Sequence, residues 1–313
     1  MNKTRRNQGL LVLTSFLWGI SFVSQRTGGD VLGGYTFNCV RSFIGSFVLI
    51  FAIALLDKMK LTERKPTTKE EKKTLLTGGI ACGIILCIAT NLQQMGIVLG
   101  TSAGKAGFLT ACYIVLVPIL GIFLKKKCGL NVWVSVGITV IGLYLLCMKE
   151  SLSIQTSDFL VIICAFVFSC HILVVDHFSP LVDGVRMSCI QFLTCGVLTA
   201  FPMFFVDMKH SFHNLDAWIA GFYTWDAWIA LLYAGIFSCG VAYTLQIIGQ
   251  QGVNPTVASL LMSLESVFSV LAGFVLLHER MSIREVFGCI MIFIAVVLAQ
   301  LPQKNDIITK KGA

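Results

Sequence analysis

Charge is what this chain has least of. Only 13% of its 313 residues are Asp, Glu, Lys or Arg, about half of the roughly 25% found in an ordinary soluble domain, so it cannot cover a normal soluble surface. Positive charge is almost missing between residues 9 and 56 and between 74 and 124, and the +8 balance comes from short basic segments. A nucleic-acid footprint needs Lys and Arg on one exposed face among polar neighbours. Here the basic residues sit between apolar runs of membrane-spanning length, which excludes nucleic acid as the partner and makes them membrane flanks. C-x-x-C is absent, and most of the twelve cysteines (Cys39, Cys82, Cys87, Cys112, Cys164, Cys189, Cys195, Cys239 and Cys289 among them) lie inside apolar runs. They read as small apolar packing residues, not as a disulfide framework. No small-residue cleavage site follows the apolar run that begins at residue 9 behind Lys3, Arg5 and Arg6. The first segment therefore reads as an uncleaved helix rather than a secretory signal.

What is present is apolar sequence, 56% of the chain. In a bilayer every backbone polar group must be paired within the chain, so apolar segments of about 20 residues become helices. Ten such segments run roughly from 9 to 25, 34 to 56, 75 to 98, 102 to 124, 130 to 147, 158 to 175, 185 to 206, 227 to 249, 255 to 277 and 284 to 302. The expected fold is an all-α membrane protein of ten transmembrane helices, with the lipid bilayer as its solvent. Lys and Arg concentrate on the cytoplasmic side of such proteins. With the N-terminus inside, 17 of the 24 Lys and Arg fall in inside segments, and only Arg26, Lys149, Lys209, Arg280 and Arg284 in outside ones. Both termini are then cytoplasmic, in a multi-pass protein of the cytoplasmic membrane. The mixed-charge segment 57–74 reads as a solvated inner loop, and the aromatic-rich segment 215–228 as an outer interfacial belt.

An internal repeat organises these helices. Sliding the chain by 150 residues sets Trp18 and Gly19 over Phe168 and Ser169, and Arg41 over Gln191. Sliding it by 153 sets Leu92 and Gln93 over Leu245 and Gln246, Gly96 over Gly249, and Thr110 over Ser263. Residues 1–150 and 151–313 become two five-helix repeats of one membrane domain. Because five is odd, the second enters the membrane from the opposite side. Inverted repeats place a binding site near the midplane, where the halves meet.

The residues that carry a family likeness are Leu-Trp-Gly-Ile-Ser-Phe-Val-Ser-Gln-Arg (17–26), Thr-Phe-Asn-Cys-Val-Arg (36–41), Gln-Gln-Met-Gly-Ile (93–97) and Thr-Ser-Ala-Gly-Lys-Ala-Gly-Phe-Leu-Thr (101–110). In the second half they are Leu-Gln-Ile-Ile-Gly-Gln-Gln (245–251), Pro-Thr-Val-Ala-Ser (255–259), Ser-Leu-Glu-Ser-Val-Phe (263–268) and His-Glu-Arg (278–280). With these, the chain resembles the drug/metabolite transporter superfamily, and within it the EamA-type ten-helix transporters of bacteria. The resemblance implies an alternating-access secondary transporter, not an enzyme, with no cofactor. It leaves the cargo open among amino acids, drugs, vitamins, nucleotide sugars and phosphosugars. It also implies that helices 1, 3, 4, 6, 8 and 9 enclose the pocket. Ser266 stands where similar proteins often have proline, which argues against a helix break at that point.

Ionisable groups inside a membrane are costly, so each is a candidate for function. Glu265, about ten residues into the ninth segment, falls near mid-membrane. It can carry a proton or counter an amine, or be a carboxyl hydrogen-bonded between helices. Lys105 lies one turn into the fourth segment on the outer side, where it can view the same cavity as Glu265 and hold a carboxylate, or snorkel to the outer surface. Arg41 can meet an anion bidentately or make an interhelical bond. His171 can titrate near neutrality or simply pack. Trp18, Tyr113 and Tyr243 can stack on an aromatic or cationic cargo or fill space. Asn91, Gln93, Gln94 and Gln246 must face a cavity or each other, because lipid cannot satisfy them. The outer cations with central Glu265 point to a zwitterionic or carboxylate-bearing cargo, coupled to protons or moved by exchange.

Three apparent motifs fail on spacing. Gly100 to Lys105 has too few residues between its glycines for a P-loop, and Ala106 where Ser or Thr is required. His278-Glu279 lacks the second histidine of a zinc-protease motif, and no metal-ligand cluster appears elsewhere. Asn2-Lys3-Thr4 fits a glycosylation site but lies inside. The reading is export of a small amphipathic amino acid or drug. Import or exchange of a vitamin or other nutrient is the alternative. An intramembrane enzyme or a non-transporting partner is disfavoured by the lack of a nucleophile paired with a base.

Overall fold

The computed structural model describes residues 3–62, 64–101, 103–126, 128–147, 155–208, 215–276 and 281–300. The His-Glu-Arg segment at 278–280, the cations Lys127, Lys149, Lys209, Lys304, Lys310 and Lys311, and Asn2 lie outside the described residues. Among the described residues the chain is helical, with no strand. The helices are α1 Lys3–Leu32, α2 Gly34–Lys58, α3 Lys69–Val98, α4 Ala103–Ala111, α5 Tyr113–Phe123, α6 Leu130–Cys147 and α7 Thr156–Phe178. They continue with α8 Gly184–Pro202, α9 Leu215–Ala220, α10 Trp225–Leu232, α11 Tyr243–Gly249, α12 Pro255–Met262, α13 Leu264–Leu276 and α14 Ile283–Ala299. Eight helical spans among the described residues are long and apolar enough to cross a membrane, and Leu130–Leu146 is apolar but shorter. The chain is a multi-pass membrane protein.

The apolar runs place the helices, but their ends and irregularities follow other rules. α3 starts before the apolar run predicted from residue 75, because Thr68 and Glu71 form a reciprocal capping box that satisfies the free N–H groups of a helix start. Residues 69–74, expected in a loop, are therefore an exposed helical extension. The predicted eighth helix is not uniform: between α10 and α11 the ten residues Tyr233–Ala242 are π-helical, an irregularity that hydrophobic periodicity does not encode. The belt at 215–228 is a short helix, a 3-10 turn and the start of α10. Tyr223 and Trp225 there are more than 80% exposed, as an interfacial belt would be.

Each long helix has an apolar outer face and an inner face with polar groups. On α2 the inner stripe is Phe37, Asn38, Arg41, Ser42, Gly45, Ser46 and Leu49, repeating at helical spacing. Phe43, Phe47, Ile50, Phe51 and Leu55 are exposed. The inner stripe packs on α8, and ion pairs and hydrogen bonds hold both ends of that pair. At one end Arg186 donates to both oxygens of Asp57 at 2.7 Å, and Lys65 lies 2.9 Å from the same carboxylate. At the other end Asp207 accepts from the backbone N–H of Thr36 at 2.7 Å and from its hydroxyl at 2.9 Å. α3 packs on both α7 and α8, α5 on α7 and α12, and α1 on α11 and α13.

α6 and α14 approach through glycines. A Cβ on Gly288 would lie 2.6 Å from the Gly142 carbonyl oxygen and 2.9 Å from the Leu146 nitrogen, and one on Gly142 would lie 3.0 Å from the Gly288 oxygen. Small residues at such points let helix backbones touch in a membrane. Gly288→Val is expected to lower stability in detergent by about 1–3 kcal/mol, the usual cost of overpacking, read as a fall in the thermal midpoint. Gly137→Ala, on the same helix α6 where a Cβ would meet nothing within 4 Å, should leave the midpoint unchanged or slightly raised.

Candidate functional site

A cavity lies among helices from both sides of residue 150. Its wall is largely aromatic and apolar: Trp18 and Phe22 of α1, Phe168 and Ile172 of α7, Tyr243 of α11 and Met262 of α12. The Trp18 and Tyr243 rings are 4.6 Å apart, and Phe192 backs Tyr243 edge-on at 5.2 Å. Set into this wall are Gln25, Arg41, Gln93, Thr110, Tyr113, Ser238, Gln246 and Glu265.

Close helix approach and helix irregularity position these groups. α1 reaches α13 through Gly19, where a Cβ would lie 2.7 Å from the Glu265 carbonyl oxygen. That contact puts Trp18 and Glu265 around one space. α2 meets the π-helical stretch through Gly45 and Gly235, where an added Cβ would lie 2.6 Å from Cys239 and 2.5 Å from Ile44. Arg41 and Ser238 enter the cavity beside that contact. The two helices that the 153-residue offset lays over one another are each interrupted once, at Cys112 between α4 and α5 and at Ser263 between α12 and α13. Cys112 Sγ donates to the Phe108 carbonyl at 3.4 Å and Ser263 Oγ to the Leu260 carbonyl at 2.7 Å, side-chain bonds that compete with the helix ladder. The expectation of an unbroken helix near Ser266 is corrected: the break needs no proline and lies just before Glu265, while Tyr113 follows the other.

Glu265 is 6% exposed and accepts a hydrogen bond from the Tyr113 hydroxyl at 3.3 Å. Gln93 donates to Thr110 at 3.0 Å. Arg41 is 5% exposed, and its guanidinium lies 5.3 Å from the centre of the Phe37 ring one turn earlier on α2. No carboxylate of the described residues pairs with it. Trp18 Nε1, Gln25 Oε1 and Gln246 Oε1 are buried without a hydrogen-bond partner.

Of the eleven residues singled out in the sequence, Trp18, Arg41, Gln93, Tyr113, Tyr243, Gln246 and Glu265 line this cavity. Asn91, Gln94, Lys105 and His171 do not, and each has another place. Asn91 donates to Thr199 at 2.9 Å and accepts from Asn38 at 3.0 Å, joining α2, α3 and α8. Gln94 donates to the Gln25 carbonyl at 2.9 Å and ties α3 to α1. His171 is fully buried, with Nε2 hydrogen-bonded to Gln191 Oε1 at 3.2 Å, and stands behind Tyr243. Lys105 pairs with Asp158 of α7 instead of sharing a cavity with Glu265. Asp158 is completely buried and also accepts from Thr101 at 2.9 Å and from the Gln155 N–H at 2.7 Å. Its place at the edge of an apolar run made it read as a helix boundary. Gln25, Thr110 and Ser238 went unnamed because short polar residues on a long helix do not announce which way they face. The offset that laid Thr110 over Ser263 was the available signal for the first of these.

The EamA-like transporter family model matches the chain twice, over residues 8–148 and 155–301. The chain belongs to the EamA-like transporter family. A relative from Archaeoglobus fulgidus described as an uncharacterized transporter is 26% identical over 292 residues, covering 93% of this chain and 84% of its own length. A solved crystal structure only 15% identical superposes with a TM-score of 0.75, over 96% of this chain and 97% of that one, a likeness of fold alone. The cavity is thus the internal space of a membrane transporter for a small molecule. In this EamA-like chain the Lys105 and Asp158 pair joins α4 to α7. Lys105→Met leaves a buried carboxylate without its cation and should cost on the order of 2 kcal/mol, below the roughly 3–5 of a fully enclosed pair because the lysine side chain is 15% exposed. Adding Asp158→Asn should recover part of that loss in the detergent thermal midpoint.

Proposed function

We propose that this EamA-like protein is an alternating-access secondary transporter that exports small amino acids or amphipathic drug-like compounds across the cytoplasmic membrane. In this reading ten helices cross the bilayer, with α6 and α14 among them, residues 1–150 and 151–313 form two inverted five-helix repeats, and both termini face the cytoplasm. The observation that carries it is the cavity: Trp18, Arg41 and Tyr113 come from the first half and Phe168, Tyr243 and Glu265 from the second. A site built at the seam of two repeats opens to one side and then the other when the repeats rock about it. The two separate family matches, one to each half, support the same division. Each half also has one helix interrupted beside the cavity, at Cys112 and at Ser263.

The chemistry asked of the site is binding and release, with Glu265 available to carry a proton or to counter a cationic cargo. No covalent step is required of any residue. The purified chain in liposomes should catalyse counterflow of a labelled amphipathic amino acid such as phenylalanine. Glu265→Gln and Trp18→Ala should each slow it at least tenfold, whereas Gly137→Ala should leave it intact. Counterflow indifferent to both cavity substitutions would overturn the site, and its absence with every amino acid tried would overturn the cargo class. Comparing right-side-out with inverted vesicles under an imposed proton gradient tests the direction.

A further inference from the structure

The cavity holds two buried ionisable groups that do not pair with each other. Arg41 lines it at 5% exposure and Glu265 at 6%, yet no ion pair joins them. Lys105 pairs with Asp158, and the cavity lining contains one cation and one acid, Arg41 and Glu265. Burying an ion in a membrane interior is unfavourable unless something compensates it. The remaining polar atoms sort by kind. Trp18 Nε1 is a donor, and Gln25 Oε1 and Gln246 Oε1 are acceptors, all buried and without a partner in the chain. Donors of this type complement an anionic oxygen group, and a guanidinium can take one with two parallel hydrogen bonds. Acceptors that share a cavity with a carboxyl group complement an ammonium.

We infer that the cavity is a two-pole site in which Arg41 binds the anionic oxygen group of the cargo and Glu265 binds its protonated amine. The cargo's apolar body lies against the aromatic wall formed by Trp18 and Tyr243. This inference rests on the transport reading and narrows its cargo to small zwitterions with an apolar body. It also separates two roles that the sequence left joined. Arg41 is a specificity-determining residue, whereas Lys105 holds α4 to α7.

The test uses the full chain in detergent and three probes that differ only in charge: phenylalanine, phenethylamine, which lacks the carboxylate, and 3-phenylpropionate, which lacks the amine. Binding is read by calorimetry. Phenylalanine should bind at least tenfold more tightly than either single-charge probe. Arg41→Gln should weaken phenylalanine and 3-phenylpropionate tenfold or more and spare phenethylamine. Glu265→Gln should do the reverse, and Arg41→Lys should restore part of the preference for the carboxylate probes. O-Phosphoethanolamine binding more tightly than phenylalanine would keep the two poles and make the anionic group a phosphate. Three equal affinities in the wild-type chain, or no binding by any probe, would overturn the inference, and neither result depends on a variant folding. An Arg41→Gln variant that weakens all three probes alike would show Arg41 to be a structural brace and overturn it as well. The charge order in binding without counterflow would refute transport and leave the two poles standing. Counterflow without the charge order would do the opposite.

Discussion

Lipid offers no hydrogen bonds, and the arrangement of this chain follows from that constraint. Asn7, Gln94, Gln191, Gln246 and Gln250 are all at most 1% exposed, while Phe47, Phe51, Phe123, Ile283 and Phe287 are at least 60% exposed. Polar side chains turned away from lipid have to meet partners on other helices, and those meetings bind the bundle. Asn91 joins three helices, Gln94 joins α3 to α1, and Asp158 gathers Lys105, Thr101 and the start of α7. Among the polar atoms that find no such partner, Trp18 Nε1, Gln25 Oε1 and Gln246 Oε1 belong to residues that line the cavity. A space inside the protein is the one place where a ligand can supply what the fold does not.

With no hydrophobic force between helices in lipid, close contact depends on shape. Gly19 against α13, Gly45 against Gly235, and Gly142 against Gly288 are points where a side chain would not fit. The first two contacts border the cavity and determine which groups face it. The contact at Gly19 brings Trp18 opposite Glu265. The one at Gly45 places Arg41 beside the π-helical stretch, where the altered winding turns Ser238 inward. Packing elsewhere in the bundle thereby specifies the composition of the cavity wall.

Arg41 and Lys105 show how far reading residues along the chain reaches. Both are cations in the outer part of predicted helices, and position along the chain left each open between a ligand role and a structural or surface one. The structure pairs Lys105 with Asp158 and sets Arg41 in the cavity wall. Asp158 lies 53 residues from Lys105, on a helix whose azimuth the sequence does not state, and its carboxylate decides that Lys105 is occupied. Arg41 lies on the inner stripe of α2, and no acid on any neighbouring described helix meets it. Glu265, Trp18, Tyr113, Tyr243 and Gln246 were legible because each is costly in lipid or unusual at mid-membrane depth. Asn91, Gln94 and His171 are costly by the same criterion, but they found partners inside the bundle.

By itself the sequence determined the membrane location, the approximate helix positions and the family, because charge scarcity, apolar run length and local motifs are properties of contiguous residues. It also carried the offset that lays one half over the other. Tertiary structure alone decided where the helices are interrupted, which polar groups satisfy one another and which are left facing the cavity. Those outcomes depend on the rotation of each helix about its axis and on contacts between residues on different helices, from about 20 to more than 150 positions apart. In a membrane an unpartnered polar group has no solvent to fall back on, so such distant contacts separate the residues that hold the bundle together from those that can meet a cargo.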